Sequence, residues 1–202
     1  MDGDVVDLQK WVSLAKDHQA FLYVDEAHAT GLFGKHGYGL TSDFGKDIDM
    51  SMGTFSKALG GSGAYITCSN TVKRYLINRC VGLMYSTAPS PMQIAAMQAA
   101  WELVPSCQEK VKTLFENAVY CRHALKQQGY DTGSSSSHII PIILKDPRIT
   151  VQVQKALADK NIRVSAIRSP SVPPNQSRLR LALTVNHSKT DLDHFIDIFL
   201  KV

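Results

Sequence analysis

Apolar and polar positions along this chain follow two rhythms, and the switches between them mark out the elements. Leu8, Trp11, Val12 and Ala15 recur at helical spacing between Asp4 and His18, with Asp4 as a prospective N-cap. The continuous β-prone run Phe21-Leu22-Tyr23-Val24 ends on Asp25, the pattern of a buried parallel strand with polar groups at its C-terminal end. Residues 30–39 are too glycine-rich for regular structure, and their spacing is not that of a strand-GxGxxG-helix unit, so they predict a loop. Ile48 to Gly53 and Ala64 to Cys68 read as two further short strands that bracket a loop carrying Lys57. Helices are predicted over residues 71–81 and from Pro91 to Val104, the proline sitting in the first turn.

The texture changes after Pro105, which makes that proline the predicted domain boundary. Val111, Leu114, Ala118, Cys121 and Leu125 outline a long helix ending at Gly129, and residues 133–137 form a serine-rich connector. His138 to Leu144 reads as a strand, and Pro141 within it predicts an edge or irregular strand because proline has no N–H to give to a neighbour. A short helix over residues 150–160, strands at 162–167 and 179–183, and a final helix packing Leu192, Phe195, Ile196 and Phe199 complete an α+β unit. The capping box of that last helix is predicted at Thr190 to Asp193.

Composition narrows the function classes. The chain has 202 residues, 44% hydrophobic and 20% charged, the balance of a globular protein able to bury a core. The net charge of +4 comes from scattered basic residues without interleaved aromatics, which argues against a nucleic-acid partner. Cys68, Cys80, Cys107 and Cys121 have no metal-ligand spacing, so no metal site is expected and a reduced, cytoplasmic compartment is the simpler reading. No apolar run reaches membrane-spanning length. Met1-Asp2-Gly3-Asp4 opens onto a helix without the leading strand of an α/β domain, so the chain is expected to be part of a longer protein.

The candidate chemistry gathers around Lys57, in Gly53-Thr54-Phe55-Ser56-Lys57-Ala58-Leu59-Gly60-Gly61-Ser62-Gly63. A strand ending in small hydroxylated residues, then a lysine, then residues able to turn sharply, holds one amine at the rim of a sheet. Taken separately, Asp25 reads as a helix N-cap, His28 as a loop histidine and Thr54 as a strand-end hydroxyl. Taken together they fit pyridoxal phosphate. Its aldehyde needs the Lys57 amine, its ring nitrogen needs a carboxylate such as Asp25 to stay protonated, its ring oxygen needs a donor such as His28, and its phosphate needs hydroxyls such as Thr54.

The segments Val24-Asp25-Glu26-Ala27-His28-Ala29-Thr30-Gly31 and Gly53 to Gly61 resemble the signature motifs of the α-oxoamine synthases, pyridoxal-phosphate enzymes that condense an amino acid with an acyl thioester and release carbon dioxide. The resemblance implies an α/β fold of the aspartate-aminotransferase type, fold type I. Residues 1–104 would be the C-terminal portion of a large domain with a mainly parallel sheet, and 105–202 a complete small α+β domain. It implies catalytic roles for Lys57 and His28, and cofactor contacts from Asp25, His28, Thr54 and Lys57. Thr87 would reach the phosphate held by the partner subunit of a homodimer. Lys57 would be both covalent anchor and general base. The stretch Ala166 to Pro173 followed by Ser177-Arg178-Leu179-Arg180-Leu181 is similar to the biotin-pathway branch, which joins L-alanine to a pimeloyl thioester. There Arg180 would hold a substrate carboxylate in its planar fork, and Ser171, where the family usually has threonine, would touch substrate. By the same resemblance, segments preceding Met1 would carry a glycine-rich phosphate turn and a histidine stacked on the cofactor ring. The alternatives are a sibling synthase using glycine or serine and a non-catalytic fragment. A serine acylase built on Thr54-Phe55-Ser56-Lys57 is disfavoured because serine is not at the nucleophile position of that motif.

Overall fold

Capping chemistry sets the helix starts in the computed structural model, which describes residues 1–202. Helix α1 (Leu8–Asp17) begins not after Asp4 but after Asp7, whose side chain accepts from the Lys10 N–H. Its inner stripe is Leu8 and Val12, while Trp11 stays 52% exposed. The chain divides into two compact units, residues 7–108 and residues 109–202 joined by 1–6.

The first unit carries a sheet ordered β1 (Tyr23–Asp25), β2 (Met50–Thr54), β3 (Ala64–Cys68). Strand β1 runs parallel to β2, with Asp25 opposite Met52, and β3 returns antiparallel with Ala64 opposite Thr54. The strands present are therefore mixed rather than mainly parallel. Helix α2 (Asn70–Arg79) starts on the Ser69 side chain, a single turn α3 (Val81–Met84) follows, and α4 (Pro91–Leu103) opens on a Ser90–Gln93 capping box with Pro91 at its first position. Between α3 and α4, residues 85–89 form an exposed connector. Tyr38 stacks on Trp101 of α4 at 4.9 Å, and Tyr65 of β3 meets the same indole edge-on at 5.0 Å. These rings pack the loop after β1 and strand β3 against α4.

The second unit pairs α5 (Gln108–Gln127), α6 (Pro147–Ala158) and α7 (Lys189–Phe199) with an antiparallel sheet ordered β4 (Ile139–Lys145), β6 (Ser177–Ala182), β5 (Ser165–Ile167). Pro141 does lie on an edge strand, opposite Arg180. Leu125, Ile140, Ile142, Leu157 and Leu179 are fully buried and form the core. The capping box of α7 is Ser188 with Asp191, two residues ahead of the predicted one, because Ser188 accepts from the Asp191 N–H at 3.2 Å while the Asp191 carboxylate accepts from the Ser188 N–H at 2.8 Å. No helix is long and apolar enough to cross a membrane.

Cys121 on α5 is fully buried, and desolvation pushes its thiol from the ordinary value of 9 up to about 11. The native state then holds this proton more tightly than the unfolded chain, so stability falls as pH rises from about 9 toward 11. The same burial gives a labelling order. Iodoacetamide at pH 8 is expected to modify Cys68, Cys80 and Cys107, all half-buried, before Cys121, which reacts only in denaturant. Peptide mapping after partial alkylation checks this.

Candidate functional site

Parallel pairing brings the C-terminal ends of β1 and β2 side by side, the place where open α/β sheets offer polar groups to a ligand. The Glu26 N–H donates to the Met52 carbonyl at 2.7 Å and prolongs the ladder one residue past Asp25. The Asp25 carboxylate then accepts from the Ala27 N–H at 2.8 Å, and the Glu26 carbonyl accepts from Ala29 and Thr30, each at 2.9 Å. Together these bonds close the turn that presents His28. Asp25 and His28 are exposed on this unit, whereas the buried carboxylate of the cluster is Glu26, 3% exposed. Asp25, the carboxylate the sequence offers to a ring nitrogen, is thus exposed in residues 7–108.

Two residues beyond Met52, β2 ends at Thr54, and the chain enters a loop closed at its base. Phe55 N–H donates to Gly63 at 3.0 Å, Gly61 N–H donates back to Phe55 at 2.7 Å, and Gly60 N–H reaches Lys57 at 3.1 Å. Gly60 and Gly63 adopt φ of +67° and +94°, left-handed values that other residues resist. A Cβ on Gly61 would fall 2.0 Å from Met97 Cε, so α4 lies directly against this loop. The Lys57 side chain is exposed at its tip.

The two loops touch. A Cβ on Gly31 would sit 2.7 Å from the Ala58 Cβ, and one on Gly53 would strike the Tyr65 and Thr30 hydroxyls, which bond to each other at 2.8 Å. Thus the structure brings Asp25, His28, Thr54 and Lys57 to one rim of one sheet. Thr54 Oγ1 is buried and has no hydrogen-bond partner. A buried hydroxyl without a partner is costly, and a phosphate oxygen is a suitable acceptor for it. The donor set therefore fits a phosphorylated cofactor. Thr87 lies exposed between α3 and α4 with no hydrogen bond to the 53–63 loop. Ser171 and Arg180 belong to the second unit. Ser171 N–H donates to Arg168 at 3.0 Å, and Arg180 stands half-buried on β6. Sequence reasoning passed over Glu26, whose only signal was an acid between Asp25 and Ala27 in a strand-end cluster.

The lysine loop and acid–histidine turn at adjacent strand ends of one unit, in a chain whose other unit is α+β, agree with the family and structure comparisons in marking a fold-type-I transferase of the pyridoxal-phosphate class. Residues 1–199 match the family described as aminotransferase class I and II, and the chain belongs to that family. A protein of Paramagnetospirillum magneticum, named as a candidate 8-amino-7-oxononanoate synthase, is 46% identical over 200 residues, covering 99% of this chain and 50% of its own. Among solved structures, the 8-amino-7-oxononanoate synthase of Francisella tularensis superposes with a TM-score of 0.87 at 26% identity, covering all of this chain and 59% of its own. A lysine-to-alanine variant of the serine palmitoyltransferase from S. paucimobilis, with a bound pyridoxal phosphate–myriocin aldimine, gives 0.91 at 27%, covering all of this chain and 52% of its own. The chain spans about half the length of the curated relatives it matches. The relatives are named for 8-amino-7-oxononanoate synthase, and the solved neighbours for that enzyme or for serine palmitoyltransferase.

Proposed function

We propose that this chain carries the lysine side of an α-oxoamine synthase that joins L-alanine to a pimeloyl thioester, giving 8-amino-7-oxononanoate with loss of carbon dioxide. The observation that carries the reading is the shared rim of Asp25, His28, Thr54 and Lys57, with the Thr54 hydroxyl buried and unpartnered. When bound, pyridoxal phosphate supplies an aldehyde for covalent attachment and a ring that accepts an electron pair. Asp25 would keep the ring nitrogen protonated by placing a carboxylate beside it, and His28 would donate a hydrogen bond to the ring oxygen. Thr54 would donate its hydroxyl to the phosphate, and Thr87 would do so toward the phosphate held by a partner subunit in a homodimer. Lys57 Nζ would provide the attachment point and would take the proton from the α-carbon of the amino acid. Arg180 receives a substrate carboxylate and Ser171 lines the substrate's path.

Borohydride reduction of the protein mixed with pyridoxal phosphate, followed by peptide mapping, tests the assignment. A single cofactor adduct on Lys57 is expected, and an adduct on any other lysine overturns it. The amino acid is tested separately. Exchange of the α-proton for deuterium should be faster with L-alanine than with glycine or L-serine, and a preference for serine would move the protein to the palmitoyltransferase branch, which the 0.91 TM-score neighbour represents.

A further inference from the structure

Two arginines stand on one face of β6, and the structure treats them differently. Strand alternation sends Leu179 and Leu181 into the core, at 0% and 6% exposure, and Arg178 and Arg180 to the opposite face. Residues 1–4 are tied to the same unit. The Met1 carbonyl accepts from Arg180 Nε at 3.1 Å, Asp2 Oδ1 lies 2.6 Å from Arg178 Nη1, the Gly3 carbonyl accepts from Ser136 N–H at 3.1 Å, and Asp4 accepts from the Ser134 hydroxyl at 3.1 Å. Gly3 has φ of +76°, and a Cβ there would fall 2.1 Å from the Ile139 carbonyl, so only glycine lets the arm lie this close to β4.

Arg178 is spent on the fold. Its side chain is 5% exposed, Nε and Nη2 donate to the carbonyl and side chain of Gln176 at 2.8 and 3.1 Å, and Nη1 pairs with Asp2. Arg180 is engaged only through Nε, which leaves Nη1 and Nη2 as a parallel pair of donors. With Nε taken, a carboxylate can meet Arg180 in bidentate fashion only end-on, across both Nη atoms. We infer that the arm of residues 1–4 positions the Arg180 fork, with Asp2 as the positioning residue. Asp2 neutralises Arg178, so that a second guanidinium can stand two residues away on the same face. It also anchors the Met1 carbonyl that fixes the plane of Arg180. The inference rests on the reading of Arg180 as the group that takes the substrate carboxylate.

The test uses the full chain loaded with pyridoxal phosphate and labelled with 15N-arginine, comparing L-alanine with L-alaninamide, which lacks the carboxylate. Asp2→Asn and Gly3→Ala are each expected to raise the dissociation constant for L-alanine roughly tenfold or more, leave that for L-alaninamide unchanged, and expose the Arg180 Nε–H to solvent exchange. Asp2→Glu should recover part of the loss. If both variants bind L-alanine as the parent does, or weaken both ligands equally, the arm is only structural and the inference falls. Arg180→Gln separates the two levels. If it too binds L-alanine normally, the reading of Arg180 fails; if it binds weakly while Asp2→Asn and Gly3→Ala do not, only the role of the arm is lost.

Discussion

Lys57→Ala is expected to leave the fold of residues 7–108 intact while removing two functions at once: covalent retention of pyridoxal phosphate and exchange of the L-alanine α-proton. The lysine is exposed at the tip of a loop whose base is closed by the Phe55, Gly61 and Gly63 backbone bonds, so no packed atom is lost with its side chain. Stability should therefore change by no more than about 0.5 kcal/mol. Chemistry should change far more, because positioned general bases contribute on the order of 100- to 10,000-fold and the covalent anchor disappears as well. The measurement is deuterium incorporation at the α-carbon of L-alanine by NMR, with the unfolding midpoint as control. A fall of at least about a thousandfold with an unchanged midpoint is expected. Exchange at the parental rate would show that another group takes the proton. Lys57→Arg sharpens the result. It keeps the charge but puts in place of the amine a guanidinium that does not deprotonate, so it should be as inactive as alanine.

Much of this site is legible in the sequence because its residues are adjacent in the chain. Asp25 to His28 fits within one turn after a strand, Thr54 to Lys57 within one turn after the next, and parallel pairing of neighbouring strands is the ordinary outcome for such runs. The edge strand announced itself through Pro141, and the long helix through its apolar stripe. What the sequence conceals is long-range. Nothing in Met1-Asp2-Gly3-Asp4 signals that its partners are Arg180, Arg178, Ser136 and Ser134, since a salt bridge spanning most of the chain leaves no periodic trace. For the same reason the sequence favours Asp4 over the true cap Asp7: Asp4 has the right chemistry for a cap, but its carboxylate is held by Ser134 and the helix starts after Asp7. Burial is concealed too, as Asp25 and Glu26 are adjacent carboxylates of which the second, unremarkable by motif, is the buried one.

Glu26 is consequently the residue at which the stability of the site should be most exposed to mutation. Its N–H extends the β1–β2 ladder, its carbonyl accepts from Ala29, Thr30 and the Thr30 hydroxyl, and its carboxylate accepts from the Thr41 N–H at 2.9 Å and the Thr41 hydroxyl at 2.6 Å. Gly39 is at φ +100°, and a Cβ there would meet Glu26 Oε2 at 2.4 Å, so the second loop is shaped around this carboxylate. Glu26→Ala deletes both carboxylate acceptors, leaving the part-buried Thr41 N–H without a partner and its hydroxyl with only Ser51 Oγ, 3.4 Å away. At about 1–3 kcal/mol for a group so stranded, a loss of roughly 2 kcal/mol is expected. Glu26→Gln should be much milder. Its carbonyl can still accept from the Thr41 N–H, and its NH₂ can donate to the Thr41 hydroxyl, which is able to accept. The difference is then the strength that ionisation adds to a hydrogen bond, about 1 kcal/mol. Urea unfolding measures both variants. Because the Glu26 carboxylate ties the Gly39–Thr41 loop to the base of the turn that presents His28, Glu26→Ala should also weaken pyridoxal phosphate binding under conditions where the protein remains folded, while Glu26→Gln retains it. Equal unfolding midpoints for parent and Glu26→Ala would show that the two loops are held together by the Tyr38, Tyr65 and Trp101 rings, without help from the carboxylate.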